Sequence, residues 1–498
     1  MWCSARARCG SEQHAVIGES GAKRWLIGLA LGLLAARLLS LGLYPLGDTT
    51  EARYGEVARL MLASGDWITP QNDPGVPFWA KPPLSFWAQA ATMAVFGVNE
   101  FGARISSTFF ALIVAALSWR LARSTAAETA RYEPWFAVAI LATMPLFFLM
   151  AGTVMTDMAL AACTTAAMVA FWLGLEGRRR WGYVFFAALG LGLLAKGPVV
   201  LALVGLPLAL WWVASPDRVE RLRTIAQRLP LVSGTALMLL IAAPWYVAAE
   251  IRTPGFLEYF LLGEHVQRFL RPDWQGDLYG LAHLQPKGMV WVFLLYAAAT
   301  WLPWLLWHGA SRLRERAAVP LFDRYLLAWT AGAPFFFTLA SNTIWSYMLP
   351  ALPALALLLA RALSAMSARR RGGALLAAGA YAIVFAAFAL WWLPRPDVVR
   401  ERSTRVMLET IDRIREGRPA RVRFVHHLPH STKFYSRGTV QKVSFANTRA
   451  ELDTPGELFL IVAPVDLPVT TTEWNGPAVV RDTERIGRFG PWVLLHRR

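Results

Sequence analysis

Lys81 stands in the run AKPPLSFW, where Pro82-Pro83 follows directly and holds its backbone extended rather than helical. The next segment, 84–96, is aromatic-rich and reads as a helix lying in a membrane interface. A lysine held rigidly at headgroup depth suits a lipid phosphate; the plainer reading is an interfacial anchor. Lys196 sits in LLAKGPVV, with almost no polar residue around it, and Asp157 in GTVMTDMALAA. An ionised side chain at membrane depth costs roughly 2.5–3.5 kcal/mol on insertion scales. Snorkelling would relieve part of that for Lys196. A counter-ion role toward an anionic ligand is more economical, because the Gly197-Pro198 break opens the backbone there.

Glu264, His265, Arg268 and Arg271 crowd into GEHVQRFLRPDW. His265 and Arg268 are three apart, so they can share a helix face; the plain alternative is a solvated loop helix. One His beside one Glu is a weak sign of a divalent cation, and no cofactor is required by the pattern. SNTIWSYMLP adds Asn342 and Tyr347. A last group opens the stretch GDTTEARYGEVARLMLASGDW: Asp48, Glu51 and Arg53 at the start of a helix expected over Glu51–Ala63. Tyr54, Val57, Ala58, Met61 and Leu62 share one of its faces. Thr49 or Thr50 serves as N-cap and Gly65 as stop. Between two spans, such a helix is expected to rest in the membrane interface. Acids at a helix start are also favoured simply by its dipole.

The elements that must position these residues are membrane spans. The chain has 498 residues, 56% hydrophobic and 17% charged, whereas a soluble protein carries roughly a quarter charged residues. Eleven apolar stretches approach the roughly 20 residues that span a bilayer. They fall near 25–45, 103–122, 134–152, 158–176, 181–195, 198–214, 230–249, 288–308, 322–340, 346–364 and 373–393. Basic clusters at 23–24, 120–131, 178–180, 218–228, 312–316 and 369–371 all fall on one side of that count. That side is cytoplasmic by the positive-inside rule. The net charge of +17 therefore reports orientation, and no basic, aromatic-interleaved soluble module speaks for nucleic acid. Residues 1–24 form a polar cytoplasmic tail, and 25–393 the membrane domain with its first outer loop at 46–102. The first span is too long for a signal-peptide core and is read as retained. Cys3, Cys9 and Cys163 show no metal or disulfide spacing.

The tail from 394 to 498 differs in kind. Strands are expected at Arg421–His427, Thr439–Ser444, Leu458–Val462 and Trp492–Leu495, and a helix at Val398–Glu416. A small α+β domain outside the membrane follows, folding without cysteine.

The ordered set TTEARYGEVARLML, GDW, KPPLSFW, TDMAL, LLAKGPV, EHVQRF and SYMLP, over about residues 44–353, resembles the aminoarabinose transferases of lipid A. These are bacterial relatives of the protein O-mannosyltransferases. The resemblance implies an all-α polytopic membrane protein of the C-type glycosyltransferase fold. Such an enzyme takes a sugar from a polyprenyl-phosphate carrier at the outer face of the bacterial inner membrane, and aminoarabinose to lipid A is the reaction implied. Membrane lipid, the carrier-linked donor and lipid A or another outer-face acceptor are the implied partners. Carried over residue by residue, Lys81 and Arg268 hold the carrier phosphate, Lys196 assists, and Asp157 lies beside the sugar. Arg53, Tyr54, Glu264, His265 and Tyr347 are further candidates for substrate contact. The family commonly has Asp directly before Glu-x-Arg-Tyr, where this chain has Thr50, so either Asp48 or Glu51 takes the role of first-loop acid. It also often has an acid before the KPP lysine, where this chain has Ala80; that departure weakens the case for a bound metal.

The chemistry is consistent with these side chains. Breaking a sugar–phosphate bond develops about one negative charge on the leaving phosphate, and preorganised cations are worth most where charge develops. A carboxylate would orient the acceptor or take its proton. An ionised phosphate acceptor needs no base; a hydroxyl does. Three rival readings stand beside this one. A protein or another glycan could be the acceptor. A carrier-linked-sugar flippase would show repeated halves, which the sequence lacks. A scaffold would have no need of charges converging from separate loops.

Overall fold

The computed structural model describes residues 19–127, 130, 132–271, 274–280, 283–315 and 318–498. Most of the expected cytoplasmic tail, with Cys3, Cys9, Arg131 and Arg316, lies outside them. Every one of the eleven apolar stretches is helical within the described residues. Among the described residues, five helices are long and apolar enough to cross a membrane: Glu100–Thr125, Asp157–Leu175, Leu231–Arg252, Trp345–Ser364 and Arg370–Trp392. A sixth span arises if Met289–Ala297 and Ala299–Ser311, bent by 74°, are counted together. The chain is thus a multi-pass membrane protein.

Prolines explain where the spans break. The stretch expected at 134–152 divides into Glu133–Ala142 and Pro145–Met150, with Met144 extended at φ −74°, ψ 126°, as a residue before proline prefers. At the Gly197-Pro198 corner the helix Arg179–Lys196 stops and Val199–Val213 begins. Gly197 takes φ +81°, and a Cβ there would lie 2.6 Å from Phe260 and 2.9 Å from His265, so glycine is required twice over.

The helical core is rich in buried aromatics, and several find a partner for their polar end. Trp301 Nε1 donates to Thr143 Oγ1 (2.9 Å), Trp329 Nε1 to Pro350 O (2.9 Å) and Tyr325 OH to Met168 O (2.6 Å). The first-loop helix, Thr50–Ser64, departs from expectation. Its stop is as expected, with Gly65 at φ +71°, but Thr49 makes no side-chain cap. The helix is also largely buried by the protein itself, from Ala52 and Tyr54 to Met61. Val57 and Met61 belong to one apolar cluster with Phe78, Phe86 and Phe434 of the C-terminal domain, which lies against Gly55. Its buried charges, Glu56 and Arg59, neutralise each other through bonds of 2.6 and 2.7 Å. A short hairpin, β1 (Gln71–Asp73) with β2 (Val76–Pro77), follows the helix.

The C-terminal domain holds a five-stranded sheet ordered β4-β3-β5-β7-β6. Its strands are β3 (Arg421–Val425), β4 (Gln441–Val443), β5 (Leu458–Val462), β6 (Glu484–Phe489) and β7 (Trp492–Arg497). β3 is parallel to β4 and to β5, with the helices His430–Ser436 and Phe445–Asp453 as crossovers, while β7 is antiparallel to β5 and β6. Half of the domain is therefore α/β in character. β5, LFLIV, is buried throughout, as a central parallel strand should be. β6 was not foreseen: ERIGRF is charged and sits at the sheet edge, where charge is tolerated. The single helix expected at Val398–Glu416 is two, Pro396–Arg402 and Arg405–Arg415. Ser403 between them is extended, and Thr404 turns its hydroxyl to Ser431 (2.9 Å).

Candidate active site

Lys196 ends one helix and Asp157 begins another, and their side chains meet, Nζ to Oδ1, at 2.8 Å. Each charge sits at the helix end whose dipole favours it. Ser346 Oγ donates to the same carboxylate oxygen (3.1 Å), and Lys196 Nζ lies 4.6 Å from the centre of the Tyr347 ring, within cation–π range.

A second ionic group faces them. The segment Glu258–Gln267 winds as a wide π-helical turn, a form found mostly at functional sites. It presents Glu264, 4% exposed, whose Oε2 accepts from Lys81 Nζ at 3.0 Å. Arg268 Nη1 reaches both oxygens of Glu264 at 3.1 Å, and its Nη2 lies 3.3 Å from Asp277. Tyr259 OH also donates to Glu264 (3.2 Å). Burial pushes the Glu264 carboxyl upward, but Lys81 and Arg268 outweigh it and hold the group below its ordinary range. His265 lies between Phe260 O (2.7 Å, from Nδ1) and Lys196 O (3.1 Å, from Nε2). Burial keeps its imidazole more easily neutral than usual.

These groups line one cavity of about 280 Å³. Lys81, Lys196, Glu264, His265, Arg268, Asn342 and Tyr347 form its polar part, and Val199, Phe336 and Phe337 are among its apolar walls. The expected cations do converge. They are not isolated, however: each is already paired with a carboxylate of the protein. Lys81 and Arg268 share Glu264, Arg268 adds Asp277, and Lys196 has Asp157. The donors around His265 do not suit a divalent cation, because both ring nitrogens face backbone carbonyls. No group of three or more His, Cys, Asp or Glu is placed to hold a metal among the described residues.

The first-loop acids stand apart from the cavity lining. Glu51 grips Arg104, which is fully buried, by two bonds of 2.8 Å and accepts from the Val154 and Gly47 amides. Burial pushes Glu51 upward, and Arg104 more than reverses it. Asp48 faces the C-terminal domain. It accepts from both the amide and the hydroxyl of Ser431, and burial raises its carboxyl despite those bonds. A separate crevice of about 110 Å³ holds Asp48 with Arg400, Arg402, His427, His430 and Trp492. Arg53 donates to Tyr279 O, its guanidinium over the rings of Tyr54 and Phe78. Tyr54 is packed among Phe78 and Phe86.

Sequence reasoning passed over Arg104, Tyr259, Asp277, Ser346 and Ser431. Ser346 adjoins Tyr347 in the WSYMLP run and could have been found there. Arg104 and Ser431 are partners across 50 residues or more, Tyr259 is a neutral group without a distinguishing pattern, and Asp277 lies nine positions beyond Arg268 in an irregular loop.

Residues 30–260 match the family profile described as dolichyl-phosphate-mannose-protein mannosyltransferase. The undecaprenyl phosphate-alpha-4-amino-4-deoxy-L-arabinose arabinosyl transferase of Enterobacter sp. (strain 638) is 31% identical over 344 residues, 67% of this chain and 58% of that protein. The corresponding transferase 1 of Pseudomonas fluorescens (strain Pf0-1) is 29% identical over 74% of this chain and 63% of its own length. The chain thus spans about three fifths of the length of these relatives. The crystal structure of ArnT from Cupriavidus metallidurans bound to undecaprenyl phosphate superposes with a TM-score of 0.78 at 20% identity, covering 95% of this chain and 98% of that one. The archaeal oligosaccharyltransferase AglB from Archaeoglobus fulgidus gives 0.52 at 13% identity, over 89% and 69%. The resemblance to the aminoarabinose transferases is therefore found in sequence, and the whole described fold is of the ArnT kind.

Proposed function

We propose that this chain is an integral membrane glycosyltransferase. It moves a sugar from a polyprenyl-phosphate carrier to an acceptor at the outer face of the bacterial inner membrane, with aminoarabinose, or a related sugar, and lipid A as substrates. The observation that carries this reading is the convergence of Lys81, Lys196 and Arg268 on one cavity with apolar walls. A phosphate beside an apolar chain matches both halves of that surface. The names of the sequence relatives and the carrier bound in the ArnT structure support the same donor class.

In this reading Lys81 and Arg268 take the carrier phosphate, Arg268 through its planar fork, and Glu264 yields them to it. Lys196 stabilises the leaving phosphate while Asp157 and Tyr347 orient it. An ionised lipid A phosphate attacks without a base. For a hydroxyl acceptor, Asp157 and Glu264 are the carboxylates near the cavity. Asp48 and Glu51 act on the framework instead, through Ser431 and Arg104. Eleven spans, a cytoplasmic N-terminus and a periplasmic domain at 394–498 complete the proposal, and alternating basic clusters support them. A protein acceptor is the second reading, supported by the mannosyltransferase profile.

Mass spectrometry of lipid A from cells with and without this protein is the test. An aminoarabinose-sized adduct present only with the protein is expected. Unchanged lipid A together with a newly glycosylated protein or glycan would move the acceptor to the second reading.

A further inference from the structure

Between the helices Val199–Val213 and Leu231–Arg252 lies an eleven-residue helix, Arg218–Arg228, in which no residue is fully buried. Its sequence, RVERLRTIAQR, sets four arginines against Glu220. The inner face is fixed to the protein. Arg221 places its guanidinium 6.0 Å from the centre of the Trp211 ring, and Ile225 packs against the helical core. The start is pinned to the preceding helix, since Trp212 Nε1 donates to Arg218 O (3.0 Å) and Arg218 Nε to Val213 O (3.1 Å).

The outer face is the unusual one. Val219, Leu222 and Ala226 follow one another at spacings of three and four, so they form one stripe. A surface helix of a soluble domain turns such a stripe toward its core. Here it points away from the protein: Val219 is 65% and Leu222 50% exposed, and Ala226 is exposed too. With 3.6 residues per turn, Arg218 and Arg223 fall on the two flanks of the stripe. The Arg223–Glu220 pair, at 3.7 Å, is open to water on both sides and is worth little.

Position decides what covers the stripe. Leu231–Arg252 is long and apolar enough to cross a membrane, and the chain from Arg228 to Leu231 reaches at most about 11 Å. The helix is therefore held at the bilayer surface. We infer that Arg218–Arg228 lies in the membrane interface, with Val219, Leu222 and Ala226 among the acyl chains and Arg218 and Arg223 on the phosphates of anionic phospholipid headgroups. An apolar stripe edged by arginines is the pattern of a helix lying in that plane, and the excess of arginine sets the sign of the headgroup. Which leaflet it meets rests on the proposed topology, which makes it the cytoplasmic one.

An eleven-residue helix is marginal alone in water, so its amides exchange with solvent when it lifts from the membrane. The test is hydrogen exchange, read by mass spectrometry over 218–228, of the full chain in nanodiscs of phosphatidylcholine with and without phosphatidylglycerol. Phosphatidylglycerol should slow exchange by about fivefold for each flanking arginine, and Arg223→Gln should remove one such factor. Leu222→Glu keeps a good helix former at an exposed position. It should speed exchange in both lipids by about tenfold, while exchange in the core helix Asp157–Leu175 stays unchanged. Slow exchange unaffected by Leu222→Glu would mean that protein covers the stripe, and fast exchange in every sample that water does; either result overturns the interfacial helix. Equal exchange with and without phosphatidylglycerol overturns the anionic headgroup.

Discussion

At the scale of residues, the cavity is an ion-paired site, and this governs what substitutions should do. Glu264 occupies both cations assigned to the carrier phosphate. Glu264→Gln should therefore tighten carrier binding, measured by calorimetry with undecaprenyl phosphate. Weaker binding would mean instead that Glu264 chiefly holds Lys81 and Arg268 in place. Asp157→Asn removes the only carboxylate on Lys196 among the described residues and should lower transfer by about 10²–10³-fold if Lys196 faces the developing charge; a loss below tenfold would demote the pair to a structural role. The individual cations were legible because lysine and arginine at membrane depth are costly and conspicuous. Their carboxylate partners were not. Glu264 stands 183 positions from Lys81, and nothing in a local pattern records a contact across that distance. Asp48 and Glu51, which lie outside the cavity lining, pose the opposite difficulty. Acids at a helix start look alike whether they face a substrate, an arginine or another domain.

At the scale of elements, two of the contacts that hold the first loop can be tested apart. Glu51→Gln breaks a buried ion pair and leaves Arg104 uncompensated, which should cost about 3–5 kcal/mol. A thermal melt in detergent should show a lower Tm; an unchanged melt would contradict the structural role given to Glu51. The second contact is the domain seam at Asp48, Ser431 and His430. Burial, and then Lys433, Arg53 and His427 nearby, push the His430 imidazole down from 6.5 to about 3. Folding thus favours the neutral ring. Its contribution is full above pH 6.5 and is lost as pH falls toward 3. Acidification across that window should expose the seam to limited proteolysis, less so in His430→Asn. Equal sensitivity in both proteins would remove His430 from the account. The helix Thr50–Ser64 was legible as a helix from its spacing and from Gly65. Its burial by the protein was not, because the covering surface includes Phe434, hundreds of residues later. The edge strand β6 escaped for a related reason: only its sheet neighbour makes a charged hexapeptide a strand.

At the scale of the whole molecule, hydropathy carried the helical architecture, since it acts over tens of residues and survives a few errors in span boundaries. The breaks at Met144-Pro145 and Ala298 were less visible, and they decide how many helices pass as single spans. Alkaline phosphatase fused after Arg498 should be active, placing the five-stranded domain in the periplasm; an inactive fusion alongside an active cytoplasmic reporter would reverse the topology. The central claim is that the cavity binds a carrier phosphate and uses it in sugar transfer. It is tested most directly by measuring transfer from purified polyprenyl-phosphate sugar, with carrier binding read separately, in Lys81→Ala, Arg268→Ala and Arg268→Lys. The two alanine variants should insert and fold yet lose transfer by about 10²–10³-fold, and Arg268→Lys should recover only part, because lysine lacks the planar fork. Near-normal turnover and carrier binding in both alanine variants would contradict the account and return these cations to interfacial anchors.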